Sequence, residues 1–327
     1  MSGISISTLK LLAIFSVVVA HIHVDTGAFP YLSPLNTVYK VLGSFGVGIF
    51  FQIAGFNYRG GSLSEGTSIL SRAPVIRFES RARNVYNLIT PWILSASVIY
   101  FYLNIRGHTF PGGWIAFFIG AGSYLYFMTI YVGFQFVGKI ITTHYVGSVF
   151  FLSLSVGYYC WKSIIIAPFG SEHLNILLWA PYFIIGYWMR LCGRQFYLDK
   201  CYLSLIILLI FGVVVGVRAG NLSEGLNYRN IMIPLGVQVI FIAAQLNSRI
   251  SILKLDALSR NTLAIYLWHM PLIGFLNWIS NQYLPGLHFF SWGVVLLIFY
   301  VVITHLSMMH NLSDRILQGL GIKRVYV

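Results

Sequence analysis

Lys10-Leu11-Leu12-Ala13-Ile14-Phe15-Ser16-Val17-Val18-Val19-Ala20-His21 is the stretch on which the reading of the whole chain turns. Between its two ionisable ends only Ser16 is polar. Extended back to Ile4 and on to His23, the run reaches the about 20 residues that a bilayer-crossing helix requires. The same ruler, carried along the chain, finds further runs near 36–57, 84–105, 114–138, 146–167, 174–190, 201–217, 230–246, 262–283 and 290–309. The fourth contains Gly120 and Gly122 and is expected to bend or tilt. The expectation is an all-α, polytopic membrane protein of about ten transmembrane helices.

Composition agrees with that expectation. Of the 327 residues 57% are hydrophobic and 9% charged, against about 25% charged in a typical soluble domain. The net charge of +13 suits an anionic partner or a membrane surface. No Arg-rich aromatic platform accompanies it, so nucleic acid is excluded as a partner. Cys160, Cys192 and Cys201 form no CxxC and no Cys/His ligand set, and no metal site is expected. The first run lacks a basic leader and a small-residue cleavage site, so it reads as a retained helix.

With the N-terminus inside, 15 of the 21 Lys and Arg fall on inner segments and 5 on outer ones, Lys10 lying within the first helix. That asymmetry places both termini in the cytoplasm. Residues 1–311 then form one transmembrane domain, and residues 312–327 a short cytoplasmic tail.

Lys10 and His21 are 11 residues apart. At 100° per residue both point the same way, separated by roughly 16 Å along the axis. Asp25, four residues further on, shares that side if the helix continues. Ionisable groups in such a run face a bundle interior or an aqueous path. A snorkelling lysine and a satisfied interfacial histidine fit the same spacing. If the chemistry is acyl transfer, a neutral imidazole is the suitable base, because it can take the proton of a hydroxyl as that hydroxyl attacks a thioester.

Arg77, Arg81 and Arg83 lie before the third run, where guanidinium forks suit the phosphates of coenzyme A. Ordinary positive-inside anchoring fits them equally. In Phe50-Phe51-Gln52-Ile53-Ala54-Gly55-Phe56 the glycine allows close helix packing. Tyr266-Leu267-Trp268-His269-Met270-Pro271 sets a histidine beside a weakened helix, in reach either of substrate or of the core. There is no GxSxG, HExxH, Walker loop or paired carboxylate.

Together these residues resemble the acyltransferase-3 family of bacterial membrane proteins. Lys10 and His21 match its Arg/Lys-x10-His pattern. Residues 50–56 match its Phe-Phe-x-x-Ser-Gly-Phe run, with Ala54 in place of Ser. Arg81, Arg83 and Pro91 are similar to its arginine cluster ahead of a proline-containing helix. The aromatic stretch at Tyr124–Phe127 followed by Gln135-Phe136, and the runs at 182–187 and 266–271, are similar too.

The resemblance implies a membrane O-acyltransferase of the cytoplasmic (inner) membrane. It would carry an acyl group, most simply acetyl, from acyl-CoA on the cytoplasmic side to a surface glycan or lipid-linked saccharide, with no permanently bound cofactor. It makes His21 the base, with Lys10 and the arginines on the donor side; Asp25, Tyr266 and His269 are expected, from the residues themselves, as substrate contacts or support. A polytopic transporter or flippase is the alternative. Its need for buried carboxylates is poorly met, since all eight acids fall in loops or at the ends of runs.

Overall fold

The structure, a computed structural model, describes residues 3–21, 33–58, 78–121, 123–143, 145–161, 171–199, 237 and 262–283. Among them are eight α-helices and no strand. They are α1 (Gly3–Ala20), α2 (Ser33–Asn57), α3 (Phe78–Ile105), α4 (Gly113–Ile119), α5 (Tyr126–Thr143), α6 (Tyr145–Trp161), α7 (Ile176–Asp199) and α8 (Thr262–Tyr283). A 3-10 turn, Glu172–Leu174, precedes α7.

The all-helical character is there, but the expected membrane spans are not. Among the described residues, no helix is long and apolar enough to cross a membrane. The longer helices carry polar residues into their length. Glu79, Arg81, Arg83 and Asn84 open α3, and Arg190, Arg194 and Asp199 close α7. The more uniformly apolar α1, α5 and α6 have 18, 18 and 17 residues, short of the about 20 taken as the ruler. The expected runs at 201–217, 230–246 and 290–309 lie outside the described residues. The ten transmembrane helices, the cytoplasmic termini, the lipid bilayer as partner and the inner-membrane location all rested on these spans and are corrected with them. So are the membrane-embedded form of the enzyme and the transporter or flippase alternative.

The fourth expected run is two helices. Gly120, at φ +91°, ends α4 in the left-handed region that suits glycine. A Cβ there would run into the backbone of Tyr126. Side chains then satisfy the freed carbonyls: Ser123 Oγ donates to Phe117 O at 3.0 Å and Thr129 Oγ1 to Ile119 O at 2.7 Å.

The chain divides into two compact units, Met1–Val47 with Val239–Val327, and Gly48–Gln238. In the first, α1 buries Leu9, Ala13, Ile14, Val17 and Val18, each larger side chain contributing about 1.5–3 kcal/mol. Its partner surfaces are α8 and the first half of α2. Gly43 and Gly46 of α2 make that approach possible. A Cβ on Gly43 would collide with the Ala20 side chain, and one on Gly46 would lie 2.5 Å from Ala13 O and 2.9 Å from Val17 Cγ2.

In the second unit, α7 meets residues 48–57 of α2 through two more glycines. A Cβ on Gly55 would strike the Phe183 backbone, and one on Gly186 the Gln52 backbone. The buried Gln52 carboxamide donates to Met189 Sδ at 3.0 Å. Around this crossing, Phe134 stacks on Phe183 with ring centroids 4.4 Å apart, and Phe51 lies between Phe127 and Trp179 at 4.8 and 4.9 Å.

Candidate active site

The first unit brings three of the residues singled out in the sequence, His21, Tyr266 and His269, close together. Helix α1 stops at Ala20, and the His21 amide turns back to bond Val18 O at 3.1 Å, a tighter closure than the α-helical ladder. His21 therefore sits half-buried at the tip of α1, one residue beyond the last helical residue. Lys10 is within α1 and half-buried, and burial lowers its pKa.

From α8 comes the buried side chain of His269, whose ring centroid is 5.1 Å from that of His21, tilted by 47°. His269 Nδ1 lies 2.6 Å from the carbonyl oxygen of Tyr266, three residues earlier on the same helix. A carbonyl only accepts, so Nδ1 carries the hydrogen and donates; in the neutral ring Nε2 then carries the lone pair. Tyr266 is also buried, with its ring centroid 5.7 Å from that of His269.

Burial, and then the nearby charge of a protonated His21, hold His269 down to about 3, against the backbone bonds to Tyr266 and Ile265. Burial lowers His21 below its usual range as well. Both rings are neutral at pH 7, the state in which an imidazole can accept a proton.

The remaining expectations divide. Asp25 and Arg77 lie outside the described residues. Arg81 and Arg83 lie in the first two turns of α3, in the second unit. The pairing of His21 with His269 was not legible in the sequence. The ring beside His21 comes from the far end of the chain. The one local hint was the Tyr266-x-x-His269 spacing, which puts a ring nitrogen within reach of a carbonyl one turn back.

The first unit thus brings two neutral imidazoles together, and among the described residues no group of three metal-ligating side chains gathers. Residues 4–313 match the acyltransferase-domain family, and the chain belongs to that family. It is thus an acyltransferase-type enzyme, associated through its family with a donor of the acyl-CoA type. No curated protein and no solved structure matches it.

Proposed function

We propose that this enzyme transfers an acyl group, acetyl in the simplest case, from acyl-CoA to a hydroxyl, with His21 as general base. The observation that carries the reading is the His21–His269 pair: a half-buried, neutral imidazole at a helix tip, backed by a second neutral ring 5.1 Å away. A hydroxyl is a poor nucleophile until its proton has somewhere to go.

In the proposed reaction a ring nitrogen of His21 takes that proton as the hydroxyl oxygen attacks the thioester carbonyl carbon. The carbon–oxygen bond forms and the carbon–sulfur bond breaks, the electron pair leaving with sulfur. The His21 imidazolium returns the proton to the thiolate, giving an ester and free coenzyme A. Lys10 supplies a cation along α1 for the donor, and the sequence of the second unit carries Arg77, Arg81 and Arg83, guanidinium groups of the kind that bind phosphates. Tyr266 holds His269, and Asp25 is a second candidate to orient His21.

The test is label transfer from radiolabelled acetyl-CoA to a panel of methyl glycosides, comparing wild type with His21→Ala at equal amounts of folded protein. Loss of a general base lowers the rate by about 10²- to 10⁴-fold. Undiminished transfer by His21→Ala would make His21 a packing residue and end the reading.

A further inference from the structure

An imidazolium formed on His21 needs a hydrogen-bond acceptor, and among the described residues the helices of its unit offer no carboxylate. The sequences of α1, of residues 33–47 of α2 and of α8 contain no Asp or Glu. Their other ionisable side chains are Lys10, Tyr39, Lys40, Tyr266 and Tyr283. What they do offer is a second imidazole with its tautomer already chosen. Because Nδ1 of His269 donates to Tyr266 O at 2.6 Å, the ring's accepting nitrogen is Nε2. Nε2 makes no hydrogen bond to His21 in the structure, but with centroids 5.1 Å apart a turn of the rings that faces their nitrogens brings these to about 3 Å, a hydrogen-bonding distance. The 47° tilt is not that of stacked rings.

We propose that His269 is a positioning residue for His21: locked as its Nδ1–H tautomer by the Tyr266 carbonyl, it accepts a hydrogen bond through Nε2 from the His21 imidazolium formed during transfer. This rests on the reading of His21 as the proton acceptor. It gives His269 the task that a carboxylate or amide performs beside other catalytic histidines, which is to orient the ring and stabilise its charged form. A neutral acceptor suits this unit. The pair holds one proton at a time, because a second would set two like charges side by side in a dry environment.

The experiment is ¹⁵N-histidine NMR on the whole chain, with His269 and His21 assigned by loss of their signals in His269→Asn and His21→Ala. His269 is expected to show the neutral Nδ1–H tautomer throughout about pH 5 to 8. Asn at this position keeps a donor for the Tyr266 carbonyl and removes the second nitrogen. His269→Asn should therefore lower the His21 pKa by about one unit, equivalent to a tenfold change in proton affinity.

In turnover, kcat should fall at least about tenfold with KM for acetyl-CoA little changed, and the acid limb of the rate profile should move to lower pH. His269→Gln, whose amide oxygen reaches toward the place of Nε2, should restore part of both. A His269 that is charged, or that carries its hydrogen on Nε2, overturns the proposal. So does a His21 pKa unmoved in His269→Asn. Because the NMR reads both rings without turnover, these failures are distinct from that of the parent reading, which falls only if His21→Ala still transfers label.

Discussion

His269 is buried so completely that its proton affinity becomes a property of the fold. In the unfolded chain the ring regains its ordinary value of 6.5, whereas in the folded state it is held at about 3. The unfolded chain therefore binds the proton more tightly. This group costs no stability above about pH 6.5; stability falls as pH drops below that value and goes on falling to about pH 3. Urea unfolding across this range should show a steeper acid loss for wild type than for His269→Asn. Equal slopes would place the acid sensitivity elsewhere. At this scale the sequence was half legible. His21 stands out because an ionisable group ending an apolar run demands a reason, and His269 because it precedes Pro271. Their adjacency is a tertiary fact, and no local period encodes it.

Helix positions were readable because apolar runs of this length fold as helices wherever they can bury a face. The sequence could not show whether those faces meet lipid or other helices, since hydropathy reports only the wish to leave water. It marked Gly120 and Gly122 for a bend or tilt but not for a break into two helices, which depends on one left-handed residue and on the side chains that cap the freed carbonyls. Gly120→Ala should destabilise the protein by at least about 1–2 kcal/mol, because it combines a left-handed backbone with a collision against Tyr126. Gly43→Ala should cost about 1–3 kcal/mol by overpacking α1 against α2. It should also lower transfer more than its stability loss explains, because the clash falls on Ala20, the neighbour of His21. Gly186→Ala offers a comparison of similar severity in the second unit, far along the chain from His21. Denaturant midpoints and kcat for the three variants test the assignment. Equal rate losses in Gly43→Ala and Gly186→Ala, once corrected for folding, would deny Gly43 any special relation to the site.

For the whole molecule the informative sequence quantity is charge. A net +13 attracts an anionic donor over distances longer than any single contact, and salt screens that attraction. The KM for acetyl-CoA should rise severalfold between low and physiological ionic strength. The KM for S-acetyl-pantetheine, which lacks the phosphates, should stay nearly flat. Parallel rises would remove phosphate recognition from the role proposed for Arg77, Arg81 and Arg83. The family was legible in the order of weak motifs spread along the chain. The division into two units was not, because it cuts α2 between Val47 and Gly48 with no change in helical pattern.

That division also sets a timetable. The unit carrying His21 is built from the two ends of the chain, so a ribosome makes one histidine of the pair long before the other. At about 5–20 residues per second, the interval is on the order of ten seconds to a minute. The residues of the second unit are all in place before His269 emerges. A nascent chain arrested ahead of α8 would carry His21 without His269, so the pair itself can form only late in synthesis.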